Sequence, residues 1–112
     1  MVADRMRVGL PLKEGIRGVR IDPAECSCVI RMEKATLDGE ELDLADKAVL
    51  AVNGWELTEK KEKQQVFFFH TKDPNLNIRL EKMEREEGQI LELEFEISRL
   101  TEEGVYPRKL WR

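Results

Sequence analysis

The stretch "VLAVNGWELTE", residues 49–59, decides the fold, because it fits two incompatible templates. Asn53-Gly54 suits the two-residue turn of a β-hairpin, since both residues tolerate the positive φ that a type I′ turn demands. Gly54 also suits the end of a helix capped by Asp43, with Leu44, Ala45, Ala48, Val49 and Val52 on one stripe. The hairpin is the stricter template, because a two-residue loop sets every pairing. Val52 would face Trp55, Ala51 would face Glu56, Leu50 would face Leu57 and Val49 would face Thr58. That register gathers Leu50, Val52, Trp55 and Leu57 on one face and leaves Glu56 and Thr58 on the other. The segregation favours the hairpin.

Alternation elsewhere supports strands. In "QILELEFEISR", residues 89–99, Leu91, Leu93, Phe95 and Ile97 share one face, and Glu92, Glu94, Glu96 and Ser98 share the other. A period of two marks a strand with one wet face. "LNIRLEKM" repeats the pattern with Leu76, Ile78 and Leu80. With the polar "EREEGQ" between them, residues 76–99 read as one long hairpin, in which Arg79 pairs with a glutamate of the wet row. "QQVFFFHT" places Val66, Phe68 and His70 on one face and Phe67 and Phe69 on the other, as in a strand buried on both sides.

Near the start, "RMRVGL" alternates, and "IRGVRI" follows with Ile16 out of phase with Val19 and Ile21, which a bulge at Gly18 would correct. "CSCVIRMEKATL" is the next strand, and Asp38-Gly39 suits a type I′ turn after it. The fold expected is mainly β: a single-domain antiparallel β-sandwich or small β-barrel of seven to nine short strands over residues 1–100, followed by an aromatic-basic tail, 101–112. The alternative is α+β, with one helix at about 43–53 packed on an antiparallel sheet.

Composition narrows the function. The chain has 112 residues, 41% hydrophobic and 38% charged, enough apolar material for one core. No apolar run approaches a membrane span, and "MVADRMRVGL" lacks the apolar segment of a leader peptide, so the reading is cytoplasmic. The net charge of −4 argues against a general nucleic-acid binder. The expected partner is therefore a protein, through self-association or as a subunit of a larger assembly, with no cofactor.

Catalytic and metal patterns are thin. Cys26, Cys28 and His70, with Asp73 as a fourth ligand, form the metal alternative, since thiolate and imidazole suit zinc. The same cysteines with His70 as base form a nucleophile alternative, a small enzyme or ligand carrier with its pocket near His70 and Cys28. The row Glu92, Glu94, Glu96 offers carboxylates on a solvated face, without the apolar pocket that acid–base work needs. "GWELTEKKEKQQVFFF" is similar to the segment around the Gly-Trp of pterin-carbinolamine dehydratases; those enzymes rely on a histidine pair and His70 is the one histidine here, so nothing carries over. The candidate partner-binding residues are Tyr106, Arg108, Leu110, Trp111 and Arg112, because aromatic and arginine side chains are the usual anchors of protein interfaces.

Overall fold

A computed structural model describes residues 3–13, 15–57, 64–80 and 88–100. Among these residues nine strands run in chain order: β1 Ala3–Pro11, β2 Gly18–Ile21, β3 Cys28–Leu37, β4 Glu40–Glu41, β5 Leu50–Val52, β6 Trp55–Glu56, β7 Val66–Phe69, β8 Leu76–Arg79 and β9 Ile90–Arg99. They form two antiparallel sheets. The larger has the order β1-β9-β3-β7-β6, with β4 also beside β3, and the smaller has the order β2-β8-β5. Among the described residues no helix is long and apolar enough to cross a membrane.

One apolar core joins the sheets. β9 sends Leu91, Leu93, Phe95 and Ile97 inward, β7 sends Phe67 and Phe69, and β8 in the opposite sheet sends Leu76 and Ile78, all within one cluster. Burying each such side chain contributes roughly 1.5–3 kcal/mol, the main term against the entropy of ordering the chain. The mainly β expectation stands: the period of two in β1 and β9 marks the strands, and the alternation names their inner residues.

A bulge sets the phase of β3. Met32 pairs with Phe95 and Lys34 with Glu94, so Glu33 is the extra residue. Before it the even positions Cys28, Ile30 and Met32 are buried; after it the buried apolar residues are the odd positions Ala35 and Leu37, with the polar Thr36 between them also buried. Inserting one residue exchanges the faces of a strand, and the apolar residues change parity at that point. The bulge expected at Gly18 is absent: Ile16 lies in the turn before β2, which begins at Gly18. The Asp38-Gly39 turn is as expected, with φ of +53° and +86° between the paired Leu37 and Glu40.

Neither template for residues 49–59 is what forms. β5 and β6 are both strands, as the hairpin requires, yet β5 pairs with β8 and β6 with β7, in different sheets. The chain uses Asn53-Gly54 to cross from one layer to the other. Neither residue has a positive φ, so no type I′ turn exists there. The Asn53 amide instead ties the crossing to the β7–β8 loop, donating from Nδ2 to the Asp73 carbonyl at 2.9 Å and accepting at Oδ1 from the Asn75 N–H at 2.8 Å. Gly54 is needed for proximity. A Cβ there would stand 2.5 Å from the Phe68 carbonyl oxygen and 2.8 Å from the Phe69 ring.

The helix at 43–53 is replaced by two single turns. The Asp43 carboxylate accepts from the Ala45 N–H at 3.1 Å, and the Asp46 carboxylate accepts from the Ala48 N–H at 2.8 Å. Aspartates bond their own following backbone in this way, which competes with helix propagation. A helix of that length is marginal in any case.

The long hairpin of residues 76–99 is also corrected. β8 lies in the smaller sheet, and β9 lies in the larger one between β1 and β3. Arg79 consequently faces Gly18, and the glutamate row finds other cations: Arg7 with Glu94 at 3.1 Å and Lys34 with Glu92 at 3.8 Å. Alternation assigned the inner residues of both strands correctly but could not say which strands lie side by side.

Candidate functional site

The crossing at Asn53-Gly54 divides the four apolar residues that the hairpin would have put together. Leu50 is buried and Val52 packs on the core, whereas Trp55 is 61% exposed and Leu57 52% exposed. Two residues turn in and two turn out, because the two sheets present opposite faces to the core. Large apolar side chains left outside are the informative departure from ordinary burial.

The ladder places them in a wider apolar strip on the outer face of the larger sheet. Trp55 pairs with Phe68, and Phe68 pairs with Val29. The rings of Trp55 and Phe68 have centroids 5.6 Å apart, and Phe68 and His70 stack at 6.2 Å. Val66 continues the strip, and its carbonyl accepts from the Leu57 N–H at 2.7 Å. The β7 strand is thus buried on one face only: Phe67 and Phe69 lie inside, Phe68 is half-buried, and His70 is exposed.

Charge takes over towards β1. Arg31 neighbours Glu96, which neighbours Arg5, and Arg5 forms an ion pair with Glu33 at 2.9 Å. Exposed pairs of this kind contribute at most about 1 kcal/mol each. They make the β1 side of the face wet and the β6 side apolar. The glutamate row therefore lies on an open sheet face beside Arg7 and Lys34.

Cys26, Cys28 and His70 are not brought together. Cys28 opposes Phe69 and is fully buried on the core face. His70 stacks on Phe68 on the outer face, on the far side of the sheet from that thiol. Cys26 precedes β3 in a bend and is half-buried. Asp73 is engaged by Arg20 at 3.2 Å. Among the described residues no group of three or more His, Cys, Asp or Glu side chains could hold a metal ion.

Burial, and then the neighbouring Cys26, push the Cys28 thiol up from 9.0 to about 11. Two units mean about a hundredfold less thiolate at neutral pH, and thiolate is the nucleophile. With a disulfide reagent at pH 8, the buried Cys28 is expected to react at least about a hundredfold more slowly in the folded chain than after unfolding, while the half-buried Cys26 is the thiol open to the reagent. Equal rates would show Cys28 to be accessible. The shift also has a stability consequence. The folded form holds this proton more tightly than the unfolded form, so its contribution is complete below about pH 9 and is lost as pH rises through about 11.

Tyr106, Arg108, Leu110, Trp111 and Arg112, and the whole tail 101–112, lie outside the described residues. The hairpin register hides the strip at Trp55 and Leu57, because it sets both on the same face as Leu50 and Val52. A usable signal was present, since Val66, Phe68 and His70 share one face of their strand. In class, then, the molecule is an antiparallel two-sheet protein with an apolar outer strip at one sheet edge. No family model, curated protein or solved structure matches this chain.

Proposed function

We propose that the protein is a non-enzymatic association module, a homodimer or a subunit of a larger assembly, working in the cytoplasm and meeting its protein partner through the outer strip of β6 and β7. The observation that carries this reading is the exposure of Trp55 and Leu57 beside Phe68 at a sheet edge. Aromatic residues dominate the energetics of protein interfaces, and an exposed strand edge adds main-chain hydrogen bonds to them. The net charge of −4 and the acidic β9 row offer little to a phosphate backbone, so a protein partner is favoured over nucleic acid.

The test is gel filtration of a native extract containing the tagged full-length chain, beside a Trp55→Ser/Leu57→Ser variant. Wild type is expected to elute in a complex larger than the monomer, and the variant as the monomer. Both residues are exposed, so thermal stability should change by no more than about 1 kcal/mol. Light scattering on a chain cut after Leu100 shows whether the tail shares the role. A wild-type chain that elutes as a monomer in the extract, and scatters as one with or without its tail, would remove this function.

A further inference from the structure

We infer that the partner on this edge is a second copy of the chain, joined β6 to β6 about a two-fold axis at Glu56; the inference rests on the association reading above. The two edges of the larger sheet differ. β1 is nine residues long and open, but its outer face carries Arg5 and Arg7, so self-pairing would set arginine beside arginine, and Pro11 lacks a donor. β6 has no arginine and no proline, and its one charged residue, Glu56, lies on the inner side beside Lys47.

The ladder states what β6 offers. The Leu57 N–H bonds β7 through the Val66 carbonyl. Alternation along an antiparallel pair then turns the Glu56 N–H and C=O to the open side. A two-fold axis at Glu56 lets these groups bond their counterparts in the second copy. It also sets Trp55 of each copy against Leu57 of the other on the outer face, covering the apolar pair.

The inner side completes the match. A cavity of about 300 Å3 lies there between the layers, walled by Leu44, Leu50, Val52 and Phe67 and bordered by Lys47 and Glu56. Both charged residues are exposed, and among the described residues neither forms an ion pair. In the pair, the Glu56 carboxylate of each copy crosses the axis towards Lys47 of the other. Two carboxylates and two ammonium groups then alternate around the axis, which offsets the repulsion of the facing glutamates. This edge is complementary to itself in hydrogen bonding and charge.

Sedimentation of the full chain over roughly 1–500 μM, the range that a small interface demands, tests the inference. Wild type is expected to pass from monomer to dimer. Lys47→Glu and Glu56→Lys should each weaken the dimer by at least about tenfold, since each leaves only like charges around the axis. An equimolar mixture of the two variants should recover a heterodimer, which also shows that both fold. A wild-type chain that stays monomeric throughout overturns the inference, as does a dimer that the single variants leave unchanged or a mixture that fails to associate. If purified wild type is monomeric while the extract holds a complex that depends on Trp55, the association function stands and the second copy alone is refuted.

Discussion

Alanine at Gly54 is expected to destabilise the protein by about 2–3 kcal/mol, the cost of forcing atoms into a packed site. The added Cβ would lie 2.5 Å from a backbone carbonyl oxygen, that of Phe68, which cannot swing aside as a side chain can. β6 would have to move off β7, or the crossing would have to open. Asparagine at the same position should be at least as damaging. That outcome separates the two explanations of this glycine, because a hairpin turn with positive φ would accept asparagine. Gly9 supplies the control. It sits in β1 with nothing within 4 Å of a built Cβ, so Gly9→Ala should be neutral or slightly stabilising. Urea denaturation of the three variants decides the matter. Should Gly54→Ala and Gly54→Asn both fall within about 0.5 kcal/mol of wild type, the close crossing described above would be wrong.

The second large effect concerns the triplet Phe67-Phe68-Phe69, whose members look equivalent in the sequence. Phe69 is 0% exposed and packs in the core, so Phe69→Ala should cost about 3–5 kcal/mol. That is a large share of the stability of a domain of this size. Phe68 lies half-buried between Trp55 and His70 on the outer face, so Phe68→Ala should cost only about 1 kcal/mol. The association readout should invert this order. Phe68→Ala is expected to loosen the complex, while Phe69→Ala, measured where it remains folded, should leave the outer strip competent. Equal destabilisation by the two substitutions would mean that the sheet is covered on both faces and the strip is not free.

Much of the fold was legible locally. The Leu91-Leu93-Phe95-Ile97 row, the alternation of β1 and the Asp38-Gly39 turn each depend on residues close in sequence, and each appears as expected. What failed was adjacency. Nothing local says that β1 pairs with β9, nearly the whole described chain away, or that β8 lies in the opposite layer from β9. The hairpin of residues 76–99 and the hairpin at Asn53-Gly54 failed for the same reason: consecutive strands were assumed to be neighbours, and here the connections cross between layers. The bulge at Glu33 is written in the sequence as a change of parity from Met32 to Ala35, a local signal that needs no distant contact to be seen.

The candidate surface followed the same division. Spacing puts His70 and Phe68 on one face, as the structure does, while the hairpin register groups Trp55 and Leu57 with Leu50 and Val52, from which the crossing separates them. Cys26, Cys28 and His70 could be proposed as a set only while the sheet was unknown, because a strand's two faces belong to different environments.

Composition and period-two alternation, then, determined by themselves that this chain builds strands around an apolar core and which side chains of β8 and β9 fill it, since face is set by neighbours two residues away. Which strands meet, which apolar pair is left outside, and why position 54 must be glycine were decided only when the two layers came together. Those outcomes depend on contacts between distant segments, and a one-dimensional pattern carries the sidedness of each strand but not the identity of its neighbour.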